Sequence, residues 1–249
     1  MKRSLVVAVM LSAFTLPAFA QRYTMFPDFA VGNGWITEIF FANQGLSAVP
    51  GIVVSFYDDN GAPVTINSNL GNSAALAVPT LNPGATQDVQ ITSASAPSGY
   101  AVIRYPSSGT TVTATEVFRY QPGGTVLADL AVPQQDGTNN YSFPVAINTS
   151  AGTYTNTGFA IANPTFDSNT PPVQTVVATL INSDGTIRQT ITVPLPAGQH
   201  ISKFVNELFP GLDNFIGSMS ISSPLGVGVL ADRQDGGDSA PSAAPRATV

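Results

Sequence analysis

The chain has 249 residues, of which 9 are lysine or arginine and 15 are aspartate or glutamate, so its formal net charge is −6. An acidic chain without a basic run is a poor partner for nucleic acid or for an anionic membrane surface, and we expect neither. There is no cysteine, which excludes thiol nucleophiles, thiolate metal sites and disulfide cross-links, so the fold must be held by its hydrophobic cores.

Residues 1–20 have the pattern of a secretory signal peptide. The positive pair Lys2 and Arg3 precedes an apolar stretch, and a small-residue cleavage signal ends at Ala20. We expect cleavage between Ala20 and Gln21, and therefore a secreted protein, either extracellular or periplasmic. The apolar stretch is shorter than the ~20 residues that span a bilayer, so we expect no membrane insertion.

The chain that follows predicts short β-strands joined by turns. Runs of β-branched and aromatic residues alternate with clusters of glycine, proline, asparagine and aspartate. In the run EIFFAN, Ile39 and Phe41 alternate with Phe40, and we place Ile39 and Phe41 on the core face of a strand. The same comparison places Val54 and Phe56 on the core face of the next strand.

Trp35 and Tyr57 are weak candidates for a ligand platform. Trp35 is the only tryptophan of the chain, and with nearby tyrosines it could stack against a sugar ring, as aromatic side chains do in carbohydrate-binding modules. The alternative is that these large side chains fill the sandwich. Trp35 shares strand parity with Ile39 and Phe41, which favours packing near one end of the core.

The stretch Asp58-Asp59-Asn60-Gly61 follows a strand and suggests either a turn or a metal site. Its counterpart in the second half of the chain is Asn182-Ser183-Asp184-Gly185. The two stretches share a glycine preceded by Asn or Asp, which a hairpin needs to reach positive φ. They do not share the paired carboxylates, and a calcium loop needs more oxygen ligands at set spacing. We therefore predict a turn and no metal site.

The second half of the chain repeats the first. The matching segments, in chain order, are FPDFAVGNGW (26–35) and FPVAINTSAG (143–152), EIFFANQG (38–45) and GFAIANPT (158–165), VVSFYDDNGAP (53–63) and VATLINSDGTI (177–187), LNPGATQDV (81–89) and LPAGQHISK (195–203), and SGYAVIRY (98–105) and IGSMSISS (216–223). This order predicts two homologous β-sandwich domains, 21–133 and 141–235, with a linker at 134–140. Their size and strand number predict an all-β chain of two tandem immunoglobulin-like β-sandwich domains.

In the second copy, Phe159 and Ile161 take the core positions of the matching strand, and Ala178 and Leu180 those of the next. One helix is predicted in SKFVNELFPGL (202–212), with Ser202 as N-cap and a stop at Pro210-Gly211. Residues 236–249 are small, polar or proline, with almost nothing to bury, so we predict a disordered tail.

The motifs of the two copies approximate one pattern: FP with a glycine-rich stretch, a strand ending in Asn-Pro (Asn-Gln in the first copy), an acidic Asp-Gly turn, an L-x-P-G turn, a glycine-led strand, and a strand before arginine. The first copy shows FPDFAVGNGW, FFANQ, FYDDNG, LNPG, SGYAVIRY and VFRY, and the second shows FP, GFAIANP, LINSDG, LPAG, FVNELFPGL and VLADR. The pattern resembles a family of proteins secreted by Gram-negative soil bacteria. It departs at Gln44, where that family usually has proline. The resemblance implies exported tandem Ig-like sandwiches, often attached to other extracellular modules, and no catalytic activity.

The inventory of reactive side chains is small. His200 is the only histidine and follows a turn, where a lone histidine is usually solvated or locally hydrogen-bonded. Glu38, Glu116 and Glu207 are the only glutamates, and no G-x-S-x-G motif occurs. We expect the aspartates to lie in turns and near the tail, where solvent keeps carboxyl pKa values ordinary. The sequence thus predicts no catalytic residue, no cofactor and no metal site.

Three classes of function remain. The first is a secreted, non-enzymatic binding or structural module of the cell surface or extracellular matrix, whose partner is a protein or polysaccharide. The second is a carbohydrate-binding protein, which requires Trp35 and neighbouring tyrosines on one accessible face. The third is a hydrolase, which requires ionisable groups clustered in a cleft, such as one between the two domains. The composition favours the first class.

Overall fold

The computed structural model describes residues 21–126, 128–149, 154–164 and 173–236. The predicted signal peptide at 1–20, and the predicted tail apart from Gly236, lie outside these residues. Strands in three sheets account for most of the described chain, so the prediction of an all-β, sandwich-like chain is confirmed. In these ranges no helix has the length and apolar character needed to cross a membrane.

The first half forms two sheets, with orders β1-β8-β3-β6 and β10-β9-β2-β7-β4-β5. The strands are β1 (Arg22–Ala30), β2 (Trp35–Asn43), β3 (Val53–Tyr57), β4 (Ile66–Ser68), β5 (Gly71–Ser73), β6 (Ala75–Ala77), β7 (Thr86–Ala94), β8 (Ser98–Tyr105), β9 (Val112–Tyr120) and β10 (Ala128–Pro133). Short 3₁₀ turns at Ser107–Thr111 and Pro122–Gly124 precede and follow β9.

The second half is organised around one long strand. Its elements are β11 (Thr138–Asn148), β12 (Tyr154–Ala162), β13 (Val173–Asn182), β14 (Ile187–Pro196), β15 (His200–Phe204), helix α1 (Val205–Leu208) and β16 (Asn214–Gly236). Residues 214–222 of β16 pair with β11 and β13, whereas residues 228–236 pair with β12. A single strand therefore takes the places that β8 and β9 hold separately in the first half.

The strand pairings of the two halves correspond. β8 lies between β1 and β3, as the first part of β16 lies between β11 and β13, and β2 lies between β9 and β7, as β12 lies between the second part of β16 and β15. Registers match as well: Phe26 pairs with Ala101 and Phe143 with Met219, while Ile39 pairs with Val89 and Phe159 with Lys203. These residues occupy matching positions in the repeated segments of the sequence.

The predicted core residues are buried in both halves. Ile39 and Phe41 are fully buried, whereas Phe40 between them is 41% exposed, as strand alternation requires. The strand β12 departs from this rule, because Ala160 and Ala162 are buried together with Phe159 and Ile161. Ala162 packs against Met25 and Tyr100 of the first half. The second face of β12 is thus covered by the other half of the chain.

The predicted helix is a single turn, and its predicted N-cap is wrong. Helix α1 begins at Val205, and Phe204 holds the N-cap position. Ser202 remains in β15, where it pairs with Ala160, so its hydroxyl is two residues too early to cap the turn. The Phe204 N–H donates instead to the Glu207 carboxylate at 2.8 Å, which satisfies a backbone donor at the helix start.

The two halves meet along a seam in which Gln135 is bound by both. The backbone of Gln135 exchanges two hydrogen bonds with Met25 of β1, at 2.8 and 2.9 Å. Its side-chain amide donates to the Val229 carbonyl at 2.8 Å and accepts from the Val229 N–H at 3.0 Å. The segment between β10 and β11 therefore links β1 to β16 by hydrogen bonds.

Candidate functional site: the cleft between the two halves

A cavity of about 500 Å³ opens at the seam. Strands β1, β2, β9 and β10 line it from the first half, and β12, β15 and β16 line it from the second. This volume is in the range of small-molecule sites, which commonly lie where two domains meet. We call this cavity the cleft.

An aromatic pair forms part of the cleft wall. Trp35 and Tyr120 are paired across β2 and β9, and their ring centroids lie 4.9 Å apart. Trp35 also packs against a small cluster that includes Phe118 and Leu230, so it serves both packing and the cavity surface. Its indole Nε1–H is buried and has no hydrogen-bond partner in the described part of the chain.

Asp28 supplies a buried carboxyl group to the cleft. It is 7% exposed, and its Oδ1 accepts no hydrogen bond from the residues that the structure describes, although His200 Nε2 lies 3.6 Å away. Burial raises the pKa of Asp28 to about 7; proximity to His200 opposes the shift, while Asp232 and Asp59 add to it. A carboxyl group in this environment exchanges its proton near neutral pH.

Asp232 of β16 is a second cleft carboxyl with a perturbed pKa. Burial raises its pKa, and hydrogen bonds from Gln234 and the backbone partly oppose the shift. Gly158 of β12 leaves room for this side chain, because a Cβ at that position would lie 2.7 Å from Asp232 Oδ1. The expectation that the aspartates have ordinary pKa values is wrong for Asp28 and Asp232, since both lie on strands at the seam.

Glu116 lies close enough to influence Asp28, but it is inside the first half. It is fully buried on the face of β9 that also carries the core residues Val112 and Ala114. Neither carboxyl oxygen has a hydrogen-bond partner among the described residues. Burial raises its pKa well above the ordinary value, and Asp28 raises it further. A charge at Glu116 would be very costly, so this side chain favours the protonated form.

His200 connects the two halves beside the cleft. It is 2% exposed, its Nδ1 lies 2.8 Å from Asp59 Oδ1, and its backbone N–H donates to the Asp59 carbonyl at 3.1 Å. The expectation of a solvated or locally bonded histidine is therefore wrong, because its partners come from the other half. His200 holds an ion-pairing position between Asp59 and Asp28.

The stretch Asp58-Asp59-Asn60-Gly61 is a turn, as predicted, and also a contact of the seam. Asp58 Oδ1 accepts hydrogen bonds from the backbone N–H groups of Asn60 and Ala62, at 2.9 and 2.8 Å. Gly61 has φ of 80°, and a Cβ there would lie 2.7 Å from the Gly198 carbonyl oxygen. The turn thus needs glycine both for its backbone conformation and for its approach to the second half.

Trp35 and Tyr57 do not line the same cavity. Tyr57 stacks on Tyr100 with ring centroids 5.2 Å apart, and both line a second cavity of about 460 Å³ together with Arg104. The Tyr100 hydroxyl donates to the Gly198 carbonyl at 2.8 Å, so this hydroxyl contributes to the contact between the two halves. The aromatic partner of Trp35 is Tyr120, which sequence analysis did not identify.

In the ranges that the structure describes, no three histidine or acidic side chains come together in an arrangement that could hold a metal ion. In the described ranges, three buried polar atoms of cleft-lining residues have no hydrogen-bond partner: Asp28 Oδ1, Trp35 Nε1 and Gln234 Oε1. The aromatic pair with polar side chains around it is the kind of wall that binds a small polar ligand with a ring and hydroxyl or amine groups.

Comparison with known proteins gives no family for this chain: no family model, no curated protein and no solved structure matches it.

Proposed function

We propose that the protein is an exported binding module that holds a carbohydrate in the cleft between its two halves. The observation that carries the proposal is the 500 Å³ cavity with the Trp35–Tyr120 pair in its wall and unpaired polar atoms beside it. Sugar rings stack on aromatic faces, and their hydroxyls need donors and acceptors at fixed positions. Its biological partner is then a polysaccharide of the cell surface or matrix.

The binding test uses the fact that Trp35 is the only tryptophan, so intrinsic fluorescence reports on the cleft directly. Titration with a panel of soluble oligosaccharides should change this fluorescence for at least one sugar class. Tyr120→Ala should weaken the same binding about tenfold or more in calorimetry, because one stacking face is lost. Tyr23→Ala removes a half-buried tyrosine outside the cleft and should leave affinity unchanged. A panel without any fluorescence or heat signal would overturn the proposal.

A hydrolase remains the second candidate function, because Asp28 and Asp232 place two carboxyl groups of raised pKa in one cleft. A protonated carboxyl can donate to a leaving oxygen, and a second carboxylate can activate water. The oligosaccharides that bind should therefore also be incubated at length and analysed for shorter products. Cleavage that Asp28→Asn abolishes would replace the binding module by an enzyme; intact sugars are the expected result.

We also propose that the two halves are homologous Ig-like sandwich domains of the secreted bacterial family that the motifs resemble. The corresponding strand orders and registers support this proposal. Export is proposed from residues 1–20 of the sequence. Expression in a Gram-negative host, followed by intact-mass measurement of the exported protein, should give a chain that begins at Gln21. Exported protein that still carries Met1 would contradict the signal peptide.

A further inference from the structure

The cleft carries more acidic than basic groups. Its acidic and basic lining residues are Asp28, Asp129, Asp232, Asp235, Lys203 and Arg233. Arg233 is paired with Asp235 at 3.0 Å, and Asp129 is paired with Arg119 at 3.0 Å. In the described chain, Asp28 and Asp232 form no ion pair with lysine or arginine, and Lys203 lies within 4.0 Å of no carboxylate. Two carboxyl groups of the wall thus have no lysine or arginine counter-ion.

Asp28 is part of the cleft wall. Its side chain is nine-tenths buried, and in the described chain its Oδ1 accepts no hydrogen bond. Asp232 lies on the facing wall, over the space that Gly158 leaves open. Asp28 faces His200 at 3.6 Å, and neither Asp28 nor Asp232 has a lysine or arginine partner in the described chain. An ammonium group bound in the cleft would add a positive charge and hydrogen-bond donors beside the two carboxyl groups. A neutral hydroxyl supplies a donor without the charge, and an anionic ligand would add repulsion.

We infer that the cleft selects a ligand carrying a protonated amine, an amino sugar rather than a neutral or acidic one, with the ammonium group bound by Asp28 and Asp232. The inference rests on the proposed function, since it assigns the sugar class for the same cleft. The ring stacks on the Trp35–Tyr120 face, and the amine points towards the two carboxyl groups. The two carboxyl groups disfavour an acidic group, such as that of a uronic acid or a phosphorylated sugar, at the position of the amine.

Glucosamine oligomers and their N-acetylated counterparts are a matched pair of probes, because they differ only in having an ammonium group or a neutral amide. At pH 6.5 we expect the amine form to bind at least about tenfold more tightly. Asp232→Asn and Asp28→Asn preserve the shape of each side chain and should abolish this preference. Asp213→Asn, an exposed change outside the cleft, should retain it. Thermal melts of all four proteins verify that each is folded.

A second measurement separates a bound amine from simple charge attraction. Asp28 faces His200, Asp232, Asp59 and Glu116. An ammonium group bound beside Asp28 favours the ionised carboxylate, so the Asp28 proton should pass to the buffer. Calorimetry of the glucosamine oligomer in buffers of different ionisation enthalpy should then show proton release at pH 6.5, which Asp28→Asn removes. Proton release that persists in Asp28→Asn would overturn the assignment of the amine to this carboxyl.

The outcomes distinguish this inference from the proposed function. Equal binding of the two oligomers, or tighter binding of the N-acetylated one, would overturn the amine inference while the carbohydrate cleft stands. A preference that Asp232→Asn leaves unchanged would also overturn it. If neither oligomer nor any neutral sugar changes Trp35 fluorescence or gives heat, both the proposed function and the inference fail.

Discussion

At pH 8, the Glu116→Gln protein should need more urea to unfold than the unmodified chain, and the gap should close as the pH falls towards 4.5. Burial raises the pKa of Glu116 well above the ordinary value of 4.5, so the folded protein keeps a proton that the unfolded chain has released. Stability is therefore fully present below pH 4.5 and falls as the pH rises towards the folded pKa. The gain expected from Glu116→Gln at pH 8 is the free energy that holding this proton costs the folded protein, since a glutamine needs none.

Asp28 adds a slope of the same sign. Its pKa rises from 3.8 to about 7, so its contribution falls between these two pH values and is constant above them. Three pKa units correspond to an upper limit of roughly 4 kcal/mol. The double change Glu116→Gln with Asp28→Asn should thus remove most of the loss of stability between pH 4 and 8.

The control for this prediction is Glu38→Gln on the neighbouring strand β2. Glu38 is half-buried, and its carboxylate lies 3.9 Å from the Arg119 guanidinium, so losing its charge should weaken folding slightly at pH 8 rather than strengthen it. The measurement is the free energy of unfolding of the unmodified chain, Glu116→Gln and Glu38→Gln, taken from urea unfolding curves at pH 4.5, 6 and 8. A Glu116→Gln protein that is less stable than the unmodified chain at pH 8 would show that the carboxylate has a favourable partner.

Gly217→Ala should be among the most destabilising small substitutions in the chain, at a cost of about 3 kcal/mol. A Cβ at this position would lie 2.2 Å from the Ile181 carbonyl oxygen and 2.6 Å from the Phe215 ring. The oxygen belongs to the backbone of β13, which is paired on both sides, so it cannot move away without loss of strand pairing. The effect should appear as a lower midpoint in urea unfolding.

The glycine at the matching position of the first half, Gly99, tests the same steric argument independently. A Cβ on Gly99 would lie 1.9 Å from the Tyr57 carbonyl oxygen, and Gly99 and Tyr57 match Gly217 and Ile181 in the repeated segments. Gly99→Ala should therefore be comparably destabilising. The control is Gly185→Ala, which has nothing within 4 Å and only its φ of 86° to oppose the change, at about 1 kcal/mol. Equal losses in Gly185→Ala and Gly217→Ala would contradict the steric argument.

Strand alternation and the repeat were enough to predict the parts of the fold that depend on one half alone. The core positions Ile39, Phe41, Phe159 and Ile161 are buried as expected, because the period of two fixes which residues share a face. The glycine turn at Gly61 was likewise predictable, since its backbone conformation follows from neighbouring residues.

The cleft could not be predicted in this way, because it depends on how one half packs on the other. Alternation assigns one face of each strand to the core and leaves the other face to solvent. Asp28, Asp232 and His200 lie on faces that the partner half covers, and no periodicity reports such a contact. The burial of Ala160 beside Phe159 and Ile161 was the available signal, since a strand with small residues on its second face allows another surface to approach closely.

Because β16 pairs with strands at both ends of the second half, it affects the order in which the two halves fold. Domains generally fold as units during synthesis, N-terminal part first, and the first half has all its strands once Pro133 has been translated. In the second half, β11, β12 and β13 all take β16 as a neighbour. Neither end of that assembly can therefore close until Asn214–Gly236 is free to pair. We expect the second half to complete its sheet after the first, and its contact with the Asp59 turn to follow.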